Sequence, residues 1–239
     1  MAPSNTQCIT SGKTGKLALS ERAASLPIHE VSRREPPPNP LVKNRVIIIG
    51  MSVEIPPFIR DKDIVIASSY RREDHFRETQ RVSALFSDSG FAVYPLPDSE
   101  PIYLDVNFVF LGGGGGLVEK KRLERLFLEA IKRARFMYVV ATNGYVGHST
   151  GTEIAYALAV GTPILSSEKI LNFGREIDQD IITIIEKHHP PIVPVEQIEE
   201  MGTDILDLVS NNNRCSSLGE SEKRKIFDSL LGLFRTLRH

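Results

Sequence analysis

Residues 136–165, FMYVVATNGYVGHSTGTEIAYALAVGTPIL, decide the reading of the fold. The run 136–141 is β-branched and aromatic with no polar alternation, the pattern of a strand covered on both faces. Residues 152–160 are apolar on nearly every side, which predicts a buried helix. Gly161 suits the left-handed position that ends such a helix, and Pro163 opens another short strand. A strand, a helix and a second strand in so short a span read as one parallel crossover unit.

The same texture extends upstream. Residues 45–49 (RVIII) and 63–67 (DIVIA) are uniformly apolar runs of the parallel-sheet kind, 91–94 is a further strand, and 105–111 is a third apolar run. Residues 71–89 read as a helix with Phe76, Val82, Leu85 and Phe86 as core contacts. Residues 117–135 carry the clearest helical stripe: Leu123, Leu126, Phe127, Ala130, Ile131 and Ala134. Lys120, Lys121, Arg122, Glu124, Arg125, Lys132 and Arg133 read as its solvated outer face. Downstream, 175–187 is a helix, 192–194 a terminal strand and 195–209 another helix. Ile226, Leu230, Leu233, Phe234 and Leu237 form a stripe that needs a partner surface, because a short amphipathic helix is marginal alone in water. Strands alternating with helices define an α/β chain with a mainly parallel sheet and helices on both faces.

Composition narrows the rest. The chain has 239 residues, 41% hydrophobic and 25% charged, with a formal net charge of −1. That is one ordinary domain with tails, and a near-neutral balance gives no strong nucleic-acid or polybasic membrane signal. No apolar run reaches the ~20 residues of a membrane span, and the N-terminus lacks a secretory apolar core. The two cysteines, Cys8 and Cys215, provide neither a disulfide framework nor a zinc spacing, and no metal site is expected. The expectation is a soluble, cytoplasmic protein. Residues 1–42 read as a flexible Pro-rich arm, 43–210 as the α/β domain, and 211–239 as a polar loop followed by the amphipathic helix.

Chemistry concentrates in the loop that follows the strand 136–141. In open α/β sheets ligands bind beyond the carboxyl ends of the strands. Gly144 and Gly147 let the backbone turn, while Ser149, Thr150 and Gly151 put small groups and free N–H donors at a helix start, where anions are favoured. Glu153 is expected in the first turn of that helix, anchored by a wholly apolar continuation. A carboxylate so fixed suits attack on, or electrostatic support of, a sugar anomeric carbon. Thr150-x-x-Glu153 is also a capping box, which needs no catalysis, and the two readings stand side by side. The glycines Gly113, Gly114 and Gly115, within a run of five, follow an apolar strand and precede a helix. That is phosphate-cradle topology without the Gly-Lys-Ser/Thr of a P-loop, and a flexible connection is the simpler reading.

The run 141–165 resembles the signature of nucleoside 2-deoxyribosyltransferases: a strand, an Asp- or Asn-containing loop, a small Ser/Thr/Gly cluster, then Glu-Ile-x-Tyr-Ala and a helix ending in Gly-x-Pro. Residues 64–94 are similar to that family's first β-α-β unit, with Ser68, Ser69 and Tyr70 where it holds substrate. The resemblance covers roughly residues 63–166. It implies a flavodoxin-like, doubly wound sheet, a nucleoside or nucleotide ligand, no cofactor, and a site that the family commonly completes across subunits of a homo-oligomer. It gives Glu153 the role of the nucleophile that forms a covalent glycosyl intermediate. Asn143 would orient the sugar, with Tyr145, Ser149 and Thr150 at the same pocket. The chain departs from the family at 132–135, Lys-Arg-Ala-Arg, where an acidic residue is usual. Residues 69–74, SYRRED, more faintly resemble the opening box of Toll/interleukin-receptor (TIR) domains, some of which cleave NAD with a glutamate. The function expected is cleavage or exchange of an N-glycosidic bond, with a TIR-like NAD glycohydrolase and a catalytically idle nucleotide-sensing scaffold as the alternatives.

Overall fold

The computed structural model describes residues 45–48, 51–54, 62–70, 72–105, 108–112, 120–211 and 218–236. The arm 1–42, Gly113, Gly114, Gly115, Cys8, Cys215 and Leu237 lie outside them. In chain order the elements are β1 (Arg45–Ile48), β2 (Met51–Glu54), β3 (Ile64–Ser68), α1 (Glu73–Asp88), β4 (Val93–Tyr94), β5 (Glu100–Asp105), β6 (Phe108–Gly112), α2 (Lys120–Arg133), β7 (Phe136–Val140), β8 (Tyr145–Val146), α3 (His148–Val160), β9 (Ile164–Ser166), β10 (Asn172–Phe173), α4 (Gln179–His188), α5 (Val195–Met201), α6 (Ile205–Asn211) and α7 (Glu220–Thr236).

Four strands form a parallel sheet in the order β4-β3-β7-β9. The β-branched run of β3 pairs with β7 along its whole length, from Ile64 against Phe136 to Ser68 against Val140. β4 adds to one side through Ile64–Val93, and β9 to the other through Met137–Ile164. A single parallel bridge from Ser166 to Ile192 replaces the expected terminal strand at 192–194. The apolar runs at 45–49 and 105–111 do not join this sheet in their described residues. β1 pairs antiparallel with β2, and β6 antiparallel with β5, each as a separate two-stranded ribbon. Arg45–Ile48 is thus one arm of an antiparallel pair with Met51–Glu54 and not a parallel strand, because apolar composition alone does not fix strand direction.

Both faces of the parallel sheet are covered. Val65, Ala67, Met137, Val139 and Ile164 pack with α2, α3, α4 and α7. Ile64, Ile66, Phe136, Tyr138, Val140 and Leu165 pack with α1, α5 and α6. Alternate side chains of each strand point to opposite layers, so both layers need apolar residues, and the strands therefore show no polar alternation. Phe86 anchors α1 with edge-on contacts to Phe91, Phe136 and Tyr138 at ring-centre distances of 5.2–6.0 Å, and Tyr138 donates its hydroxyl to the Val193 carbonyl at 2.6 Å. Phe76 and Leu85 are only partly buried; the inner face of α1 is His75, Thr79, Val82, Ser83 and Phe86. Residues 195–209 form two short helices, α5 and α6, parted by a 3-10 turn at Gly202–Asp204 where Gly202 takes φ 48°. α7 docks on this domain through Ile226 and Leu230, fully buried in the cluster shared with α3 and α4, while the side chains of Leu233 and Phe234 lie outside the described ones.

α2 corrects the sequence reading most. Glu124, assigned to the solvated face, is 3% exposed. It has Phe127 at i+3, Leu128 at i+4 and Ile131 at i+7, and all three are buried, so it lies inside the apolar arc. Glu129 is buried as well and accepts a hydrogen bond from Arg133 at 2.6 Å.

Candidate active site

The strand order reverses between β3 and β7. The chain leaves β3 through α1 to β4 on one side, and leaves β7 through α3 to β9 on the other. Such a reversal opens a crevice at the carboxyl edge. Here Ser69 Oγ accepts a 2.7 Å hydrogen bond from the Gly147 N–H, tying the loop after β3 to the start of α3. A Cβ on Gly147 would stand 2.8 Å from that oxygen, so a larger residue there would have to push the Ser69 hydroxyl aside. Tyr70 donates its hydroxyl to the Ile66 carbonyl at 2.9 Å, which fixes the phenol beside the strand end.

Helix α3 begins at His148, with Gly147 as an N-cap that makes no side-chain hydrogen bond. Glu153 therefore lies in the second turn, not the first. Thr150 is inside the helix and cannot be an N-cap, so the capping box is not formed. Glu153 is 7% exposed, in a helix whose residues from Thr150 to Leu158 are all buried.

α2 and α3 both run back from the carboxyl edge of the sheet, with Glu124 four residues after Lys120 in α2 and Glu153 in the second turn of α3. Burial and the neighbouring Glu124 together push the Glu153 carboxyl well above the usual carboxylate range. Burial pushes Glu124 up to about 7, and its Oε1 makes no hydrogen bond. Each of these buried carboxyls opposes ionisation of the other, so near neutrality the two do not both carry charge. Tyr70 and Tyr94 complete the enclosure: burial raises both phenols, and the Glu153 charge raises them further.

The other expected residues divide. Ser68 closes β3 with its Oγ buried and unpartnered, while Ser149 is half-buried in the first turn of α3. Tyr145 stands half-buried in β8, edge-on to His75 at 5.9 Å. Asn143 is exposed in the 3-10 turn Thr142–Gly144 at φ 56°. Its carbonyl accepts from Asn172 and its N–H donates to Glu168. It serves loop geometry in this structure, with no contact to Glu153. Glu124, Tyr94 and His75 are the residues that sequence reasoning missed. Glu124 was legible from its i+3, i+4 and i+7 apolar neighbours, whereas Tyr94 and His75 had no local signal. Among the described residues no three His, Cys, Asp or Glu side chains converge as a metal site. None of the described helices is long and apolar enough to cross a membrane. Comparison with protein-family models, curated proteins and solved structures finds no match to this chain.

Proposed function

We propose that this protein binds a nucleoside or nucleotide at the carboxyl edge of a flavodoxin-like sheet and cleaves or exchanges its N-glycosidic bond. The observation that carries the reading is the buried Glu153–Glu124 pair beside the strand-order reversal. A pair holding one proton contains a carboxylate and a carboxylic acid at once, the combination that glycosidic cleavage uses. Glu153 is the nucleophile: its oxygen bonds to the anomeric carbon as the carbon–nitrogen bond breaks. The Glu153 proton passes to Glu124 before the attack, and Glu124 gives it to the departing base, supplying the second carboxyl that residues 132–135 lack. Water, or a second base, then attacks the anomeric carbon and returns a proton to Glu124 as Glu153 leaves. Ser149 and the N–H groups at the start of α3 support the sugar or phosphate oxygens.

The test is incubation of the full chain with deoxynucleosides, ribonucleosides, their monophosphates and NAD, with chromatography for free base. Glu153→Gln should reduce release to background, and Glu124→Gln should lower it by about 10²–10⁴-fold, the usual weight of a positioned proton donor. Release from NAD alone would favour the glycohydrolase alternative. Binding without release from any substrate would make the domain a sensor. Wild-type turnover in Glu153→Gln refutes the assignment.

A further inference from the structure

Glu153, the carboxylate that the proposed reaction brings against a sugar, is only 7% exposed, and Glu124 beside it 3%. A sugar ring cannot reach Glu153 in this conformation, so a neighbouring group has to give way. Among the described residues, Glu124, Tyr94 and Tyr70 stand close enough to Glu153 for charge to act between them. Two of these are locked in place. Glu124 is carried by α2, on a face whose neighbours Phe127, Leu128 and Ile131 are all buried. Tyr94 is 2% exposed at the end of β4, and its ring packs on Phe127 of the same helix at 5.7 Å. Moving either one disturbs the close-packed layer between the sheet and α2.

Tyr70 differs. It lies in the connection between β3, which ends at Ser68, and α1, which starts at Glu73. The residue is half-buried, so turning its ring outward gives up less apolar burial than a core side chain would lose. Its hydroxyl is held by one hydrogen bond, the 2.9 Å contact to the Ile66 carbonyl. Its chain neighbour Ser69 is pinned to the Gly147 N–H, so the backbone stays against the start of α3 while the ring rotates about its own side-chain bonds. We infer that Tyr70 is a gate on Glu153: its ring covers the carboxyl group, latched through the hydroxyl to the Ile66 carbonyl, and turns outward to admit the ligand. A cover of this kind keeps water from the nucleophile until ligand arrives. That the entering group is a sugar rests on the cleavage reading above, whereas the gate concerns only access to Glu153 and stands without it.

The experiment measures access on the full chain with no ligand. A water-soluble carbodiimide with glycinamide turns a reachable carboxyl into an amide, and peptide mass spectrometry reads the rate at each glutamate. Glu129, 1% exposed and bonded to Arg133, is the buried control, and the exposed Glu199 is the open one. Glu153 should label far more slowly than Glu199 in the wild type. Tyr70→Ala should speed Glu153 labelling at least about tenfold by removing the cover. Tyr70→Phe keeps the ring without the latch and should speed it about fivefold, the equilibrium weight of one neutral hydrogen bond. Glu129 labelling and the melting temperature should stay as in the wild type in both variants. If Tyr70→Ala fails to fold, Tyr70→Phe decides alone. The inference is overturned if wild-type Glu153 labels as fast as Glu199, or if neither variant speeds it. It is equally overturned if Glu129 speeds up in step, because that reports loosening of the whole domain. Gated labelling of Glu153 in a chain that releases base from no substrate would leave the gate standing and remove the cleavage reading. Base release that depends on Glu153, with labelling unaltered in both variants, would do the reverse.

Discussion

Replacing Glu124 by glutamine should make this protein more stable, and only above pH 5. Burial raises the Glu124 carboxyl from 4.5 to about 7 in the folded chain. Each pKa unit corresponds to 1.36 kcal/mol, so ionising this group in place costs about 3 kcal/mol of folding free energy. The sign follows from which state holds the proton more tightly. The folded state does, so stability is fully present below the unfolded value of about 4.5 and is lost as pH rises through about 7. Glutamine keeps the shape and cannot ionise. Wild type and Glu124→Gln should therefore melt together near pH 4.5 and separate steadily above it. Above pH 7 the variant should be higher by roughly 6–12 °C for a domain of this size. Removing the Glu124 charge also eases ionisation of Glu153, which acts in the same direction. Circular-dichroism melts from pH 4.5 to 8, with urea titrations at both ends, read the difference directly. Parallel curves across that range, or a variant that is less stable at pH 8 than at pH 5 relative to wild type, would show that Glu124 is not a buried, proton-holding group. The same substitution lowers the proposed cleavage, so a gain in stability with a loss of turnover is the joint expectation.

Gly147→Ala places a methyl 2.8 Å from Ser69 Oγ and should break the bond that ties the two loops, costing about 1–2 kcal/mol in a thermal melt and lowering turnover. An alanine that leaves both unchanged would mean the tie does not position the site. Leu230→Asp puts an unpaired carboxylate at a fully buried point of α7 and should cost at least about 3 kcal/mol or prevent folding; an unaltered melting curve would detach α7 from the core.

Local pattern was enough for the layers and for singling out Glu153, whose nucleophile role came from the resemblance. The runs at Ile64–Ser68 and Phe136–Val140 lack alternation because both faces of those strands are buried, a local and periodic signal. The crossover helix and its Gly161 end were equally legible, since Gly161 takes φ 81° as an αL cap. Glu153 stood out as the one carboxylate of its helix, directly ahead of a wholly apolar run. Tertiary structure decided the rest. Strand direction for Arg45–Ile48 depends on what pairs with it, and the antiparallel hairpin is set by Met51–Glu54, not by the run itself. Whether Thr150–Glu153 capped anything depended on where α3 starts, and a start at His148 removed that role. The partner of Glu153 comes from another helix, 29 residues earlier in the chain. Glu124 looked like one of seven charges on an outer face until α2 was covered on the side that carries Leu128. Helical and strand periods report one face of one element. Coupled ionisation and crevices arise where faces of different elements meet, and only packing decides which faces those are.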